Sequence, residues 1–309
     1  MTPFERINVS QRTDVGRVRS HNEDYVGSWE PSSAEELIEH GWLYIVADGV
    51  GGAEAGEIAS RYATEQIITH FLQSKTDNDE DRLRNAIQAA NDDVRALAAE
   101  RMNGGYMATT IVVAHFRDEN VLLANVGDSR GYHWRDGILQ QVTKDQSLVA
   151  KLVEEGAITE EEARVHPRRN VILSSLGSSR EPQIDLFRTE LNAGDKLLLC
   201  SDGLSGLVSD FEMGAIVEQQ SLDDATQTLV DLANERGGSD NITVSLFEWA
   251  TAAVAVAETT GPVVISAETE TEDEFAGRGL WLYTFILAFV QAALILLIWY
   301  ALRLPMPPN

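Results

Sequence analysis

Cysteine is nearly absent: Cys200 is the only one in 309 residues. This excludes an internal disulfide framework and a Cys-rich zinc site, and it fits a reducing compartment. Basic residues are scarce as well, with 24 Lys and Arg against 49 Asp and Glu and a formal net charge of -25. A chain of that sign lacks the basic face that follows a nucleic-acid backbone, so nucleic acid is not an expected partner. The six histidines show no H-E-x-x-H or similar cluster, which removes the usual zinc ligand patterns. No fixed-period repeat is visible, and residues 1–14 have no apolar core of the length a signal peptide needs. The body is therefore expected to stay in the cytosol.

What the chain does have is 44% hydrophobic residues, enough for a large buried core. Short β-branched or aromatic runs at 42–47, 109–116, 121–126, 196–200 and 242–247 predict strands. Arg135-Asp136-Gly137 separates two more, 131–134 and 138–142, and predicts a hairpin. Apolar residues three to four apart at Ile58, Ala59, Tyr62, Ala63, Ile67 and Phe71 predict an amphipathic helix. A second such stripe runs through Leu83, Ile87, Ala90, Val94 and Leu97. Strands with helices outside them give an α/β or α+β layered architecture, and periodicity alone does not choose between them.

The character changes after Trp249. Residues 250–279 carry no Lys or Arg before Arg278 and end in S-A-E-T-E-T-E-D-E-F, which predicts an acidic, solvated linker. Residues 280–302 form an uncharged apolar run of about 23, close to the roughly 20 that cross a bilayer. Trp281, Tyr283, Trp299 and Tyr300 lie near its ends, as interfacial aromatics do. The expectation is a single transmembrane helix followed by a short tail, 303–309, with residues 1–249 as one cytoplasmic domain at the membrane.

Four acidic segments lie in turn-like contexts: N-E-D at 22–24, A-D-G-V-G-G at 47–52, S-D-G at 201–203 and S-D-N at 239–241. Three adjoin predicted strands, where the sheet fixes a carboxylate that still reaches solvent. Oxygen donors of this kind suit a hard cation, Mg²⁺ or Mn²⁺. Any one of these acids alone reads as a turn former.

In order, R-S-H-N-E-D, V-A-D-G-V-G-G, G-D-S-R, L-C-S-D-G-L and G-G-S-D-N-I-T resemble the metal-dependent PP2C-type (PPM) protein Ser/Thr phosphatases, the bacterial branch most closely, over about residues 8–249. The resemblance implies an α+β fold, a four-layer α-β-β-α sandwich of two mainly antiparallel sheets flanked by helices. It implies that Asp48 bridges two Mn²⁺ or Mg²⁺ ions, that Gly49 adds its carbonyl, and that Asp202 and Asp240 complete the first metal's shell. Glu23 resembles the acid that holds the second metal, with Asp24 in support, and Asp128 resembles a ligand of a third, weaker ion. Arg19 would bind the substrate phosphate. Residues between Thr143 and Gly177 resemble a mobile flap.

The implied reaction is hydrolysis of phosphoserine and phosphothreonine in proteins by a water bridging two cations, which acidify it and neutralise phosphoryl charge. No covalent intermediate is needed, so Cys200, in a predicted buried strand with no basic neighbour, reads as core packing. Expected partners are phosphorylated proteins, above all Ser/Thr kinases and their substrates at the membrane. The alternative is a pseudophosphatase that binds phosphoproteins without turnover. Three positions depart from the family pattern. Val50 stands where many relatives have a His that can protonate the leaving group, Ala108 replaces the Gly usual before the Thr pair, and Gln146 replaces a common His in the flap.

Overall fold

A computed structural model describes residues 7–51, 53–101 and 107–250. The predicted membrane span, its tail and all but the first residue of the acidic linker lie outside those residues. Among the described residues no helix is long and apolar enough to cross a membrane.

The strands are β1 (Ile7–Asp14), β2 (Asp24–Trp29), β3 (Trp42–Val50), β4 (Ala108–Arg117), β5 (Asn120–Val126), β6 (Arg130–Arg135), β7 (Ile138–Gln141), β8 (Asp185–Glu190), β9 (Lys196–Cys200) and β10 (Ile242–Trp249). The helices are α1 (Ala34–His40), α2 (Ala53–Gln73), α3 (Asp79–Arg101), α4 (Leu148–Glu154), α5 (Glu160–Arg164), α6 (Asp202–Ser205), α7 (Asp210–Gln219) and α8 (Leu222–Glu235). One sheet runs β1-β10-β9-β6-β7 and the other β2-β3-β4-β5-β8, with antiparallel pairing throughout.

Strand alternation explains the layers. On β3, Leu43, Ile45 and Ala47 point outward into a cluster with Ala59, Ile67 and Phe71 of α2 and Leu83 and Ile87 of α3. Burying a side chain the size of Phe71 or Ile67 stabilises by roughly 1.5–3 kcal/mol. Trp42, Tyr44 and Val46 point inward and meet Leu197, Leu199 and Phe247 of the facing sheet. The outer face of that sheet, with Leu198, Val244 and Leu246, packs on Met213 of α7 and Leu229 of α8. The order is helices, sheet, sheet, helices, as the sequence resemblance implies.

The hairpin also forms where expected. Asp136 and Gly137 both have positive φ, 52° and 81°, so a two-residue turn joins β6 to β7. Strands β1, β2 and β8 and helices α1 and α4–α8 were not anticipated from periodicity. Of these strands, β1, β2 and β8 lie at sheet edges, where mixed exposure blurs alternation. Cys200 is fully buried, which pushes its thiol up to about 12. One detail differs from expectation: Arg130 pairs directly opposite it across β6 and β9, yet that guanidinium is held by Asp145 at 2.7 Å and burial dominates.

Candidate active site

The inward row of β3 reads Trp42, Tyr44, Val46 and then Asp48: an apolar stripe that turns into a carboxylate at the sheet's end. Its partner strand does the same, because Asp24 lies directly opposite Asp48 in the β2–β3 register. Across the sandwich, β10 ends its inward row in Ser245 and Thr243, preceded by Asn241 and Asp240, while β9 leads into Asp202 at the start of α6. The interior therefore changes from apolar to polar toward one end.

Six carboxylates at that end, Glu23, Asp24, Asp48, Asp128, Asp202 and Asp240, share one electrostatic environment. Burial, followed by repulsion from Asp24, Asp202, Asp128 and Asp240, raises the Asp48 pKa well above the ordinary carboxylate range. Burial likewise raises Asp24, which has Asp202 and Asp240 as negative neighbours, and raises Asp202 against Asp240. Asp128, only 7% exposed, is raised by burial and by Asp202 and Asp145. Glu23, buried to the same extent, is raised by burial while Arg19 opposes the shift.

Local bonds fix these side chains. Ser201 Oγ donates to Asp24 Oδ2 at 2.8 Å and accepts from the Thr243 amide at 3.0 Å, so one hydroxyl ties β2 and β10 to the start of α6. Asn241 is a further tie: its Oδ1 accepts from the Glu23 amide at 2.8 Å, and its Nδ2 donates to the carbonyls of Val15 and His21 at 2.9 Å each. Thr110 and Ser129, the residue after Asp128, share a buried hydroxyl pair at 2.7 Å. Glycine is required where the helix α2 approaches: a Cβ on Gly56 would lie 2.1 Å from Glu23 Oε2, and one on Gly49 would lie 2.3 Å from the Gly56 carbonyl oxygen. Sequence reasoning assigned no role to Asn241, Ser201 or Gly56, although S-D-N and S-D-G were visible as motifs.

Every predicted site residue lies at this end of the sandwich. Arg19, half exposed, is paired through Nη2 with Asp240 Oδ2 at 2.8 Å and feels the charges of Glu23 and Asp48. Gly49 sits on β3 beside Asp48, its amide donating to the Glu23 carbonyl at 3.1 Å. Gln146 is a buried clasp rather than a flap surface residue: its Oε1 accepts from the Gly127 amide at 2.9 Å, and its Nε2 donates to Asp185 Oδ2 at 2.7 Å. Ala108 is accommodated at 1% exposure as the first residue of β4. The flap carries α4 and α5, neither with a buried residue, and its base is pinned by backbone bridges of Thr109 to Leu176 and Ser147 to Ile172. Between the flap and the carboxylates lies a cavity of about 580 Å³.

Among the described residues no group of three or more His, Cys, Asp or Glu side chains is gathered as tightly as a bound ion would require. The donor chemistry of this end nevertheless suits a hard divalent cation. Asp24 Oδ1 and Asp128 Oδ1 are buried with no hydrogen-bond partner, and the surrounding donors are carboxylates whose mutual repulsion a cation would remove. The donor set fits Mg²⁺ or Mn²⁺ and lacks the His and Cys that zinc prefers.

A protein phosphatase 2C family model matches residues 17–246, most of the chain. The chain belongs to that family. It is 38% identical over 247 residues to the serine/threonine phosphatase stp of Listeria monocytogenes, covering 78% of this chain and 96% of the relative. It also resembles the crystal structure of the Mycobacterium tuberculosis serine/threonine phosphatase PstP/Ppp, with a TM-score of 0.70, 35% identity, and 79% and 99% of the two chains covered. A structure of the PstP catalytic domain in complex with two manganese ions matches at a TM-score of 0.68 and 34% identity, covering 79% of this chain and 99% of that one. The chain is a protein serine/threonine phosphatase of the PP2C fold.

Proposed function

We propose that this phosphatase hydrolyses phosphoserine and phosphothreonine in proteins with two divalent cations held at the carboxylate end of the sandwich, Mn²⁺ or Mg²⁺. Asp48 would serve both, the Gly49 carbonyl would add a donor, Asp202 and Asp240 would complete the first site, Glu23 with Asp24 in support would hold the second, and Asp128 with Asp202 a weaker third. Bound there, divalent cations acidify water and neutralise phosphoryl charge. The observation that carries the reading is the group of buried, mutually repelling carboxylates with orphaned oxygens at the end of both sheets.

The residues contribute specific tasks. The sheet ends fix the carboxylates before substrate arrives, so little reorganisation accompanies the reaction. Arg19 is released from Asp240 when a phosphate enters, because a dianion accepts two guanidinium hydrogen bonds where a single carboxylate oxygen now accepts one. Val50 brings no ionisable group, so the leaving alkoxide takes its proton from solvent in the cavity rather than from a side chain at that position.

The full-length protein should release phosphate from a phosphothreonine peptide only when Mn²⁺ or Mg²⁺ is added. Release that survives chelation overturns the reading, and tight phosphopeptide binding with no turnover in saturating Mn²⁺ favours a binding module instead. The residues 280–302, apolar over about 23 positions, support a membrane tether that keeps the domain near membrane-bound Ser/Thr kinases and their substrates. Deleting 280–309 should then slow dephosphorylation of vesicle-anchored substrate while leaving soluble peptide turnover unchanged. Equal loss on both substrates removes the tether reading.

A further inference from the structure

The cavity beside the carboxylates has two unlike walls. The core wall carries Asp128, Asp202 and Asp240, and the flap wall carries Arg164, at the end of α5, and Arg169. At about 580 Å³ it falls in the range of roughly 300–1,000 Å³ typical of sites that enclose a whole ligand, more than one phosphorylated side chain needs.

The charges on the flap wall are not used up within the protein. The other cations are committed: Arg130 to Asp145 at 2.7 Å and Lys144 to Glu154 at 2.6 Å in the lining, and Arg19 to the lining Asp240 at 2.8 Å. Among the described residues Arg164 and Arg169 form no ion pair and no side-chain hydrogen bond, and both are exposed. Glu161, one turn back, feels the charge of Arg164 without forming an ion pair with it, and Glu160 lines the same cavity without pairing to it. In a chain of net charge -25, two free guanidinium groups facing a phosphatase cavity are an unusual placement. A planar guanidinium favours a phosphate dianion over a carboxylate, because it can donate to two oxygens while meeting twice the charge.

We propose that Arg164 and Arg169 form a second anion subsite that takes another phosphorylated side chain of the same substrate segment, while the scissile phosphate lies at Arg19. This rests on the proposed function and narrows it to multiply phosphorylated segments. The gain belongs to binding, since the second phosphate is far from the reacting bond in chemical terms, and it should appear in KM rather than kcat.

The test uses the full-length protein in Mn²⁺ and three peptides of one sequence: singly phosphorylated, doubly phosphorylated, and singly phosphorylated with Glu in place of the second phosphoresidue. The doubly phosphorylated peptide should have a KM about tenfold lower than the single one, the low end for charge-assisted bonds because the arginines are exposed. The Glu peptide should recover only a small part of that gain. Arg164→Gln with Arg169→Gln should erase the preference and leave turnover of the singly phosphorylated peptide unchanged, whereas Arg→Lys at both positions should restore part of it. Equal KM for single and double peptides overturns the inference while leaving the phosphatase reading intact. A Glu peptide as good as the doubly phosphorylated one overturns it in favour of a general acidic subsite. If no peptide is turned over, fluorescence anisotropy of the same peptides still decides it: a preference for two phosphates that the Gln pair erases supports the subsite, and none rejects it.

Discussion

The two ends of the β2-β3-β4 sheet bury charge in opposite ways. At the end away from the cavity, His40, Arg82, His115 and Arg117 gather where α1 returns into β3 through Gly41. Each charge finds a partner within the protein, Arg117 Nε as an ion pair with Asp79 rather than an aligned hydrogen bond. Arg82 donates to the carbonyls of Thr76 and Glu39 at 3.0 and 2.7 Å, and His115 Nε2 meets the His40 carbonyl at 2.8 Å. Arg117 donates to the Ile38 carbonyl at 2.6 Å and pairs with Asp79 at 2.7 Å. At the cavity end, Asp24 Oδ1 and Asp128 Oδ1 have no partner and the neighbours are other acids. Buried charge whose bonds close within the protein is structural, and buried charge left open points to a ligand that closes it.

Asp48 is where the two ends should differ most in their response to substitution. Asp48→Asn should lower phosphopeptide turnover by about 100- to 1,000-fold, the scale for removing a preorganised electrostatic group. In chelator the same variant should melt no lower than the parent, because one member of a repelling set is gone, and the rise in Tm that Mn²⁺ gives the parent should vanish. A lower Tm in chelator would mean that Asp48 is structural after all.

The opposite end predicts a response to acid. Burial lowers the His115 pKa from 6.5 to about 4, so the folded state resists a proton that the unfolded state accepts. Its contribution is complete above about pH 6.5 and is lost as pH falls toward 4. At roughly 1.4 kcal/mol per pKa unit this amounts to about 3 kcal/mol. The carboxylate end has the reverse sign in the absence of metal, since acids with raised pKa values bind protons more readily when folded. Urea melts of the parent and His115→Gln at pH 7 and pH 4 isolate the histidine: the parent's advantage should shrink by about 3 kcal/mol. An unchanged difference rejects a neutral buried imidazole.

Asn241→Ala should cost about 2 kcal/mol, because it leaves the Glu23 amide and two carbonyls without their partner. Turnover should fall with it, since Glu23 loses its anchor, and a stable variant with full activity would demote Asn241 to a spectator. The flap serves as the control belonging to neither end. Val165 is 78% exposed, so Val165→Ser should change stability by less than about 0.5 kcal/mol in a urea melt.

Much of the inner architecture was legible because central strands carry a strong signal. The run 42–47 was found from its hydrophobicity, yet β3 continues to Val50, and the three residues missed include Asp48 and Gly49. They were missed as strand because a site residue breaks the pattern that reveals a strand. The edge strand β8, D-L-F-R-T-E, mixes polar and apolar residues on both faces and gave no period. Helix α8 carries a stripe at helical spacing, Ala225, Leu229, Val230 and Ala233, that is legible in the sequence. The acids of the site were found by motif order, whereas Asn241 and Ser201 were not, because their value comes from bonds across more than 170 residues that no local pattern records. The shape of the cavity and its free arginines depend on how the flap lies against the core, which is set by Gln146 and two short bridges.

The pairing of Asp24 with Asp48 ties assembly to chemistry through a single integer. Side chains alternate across a strand, so a slip of one residue between β2 and β3 would turn Val26 out of the interior and Asp24 away from its partner together. A chain that has buried its core in register has thereby aligned its acids, and one that has not is both loose and silent. Core register and the facing of these two acids are, at this strand pair, set together.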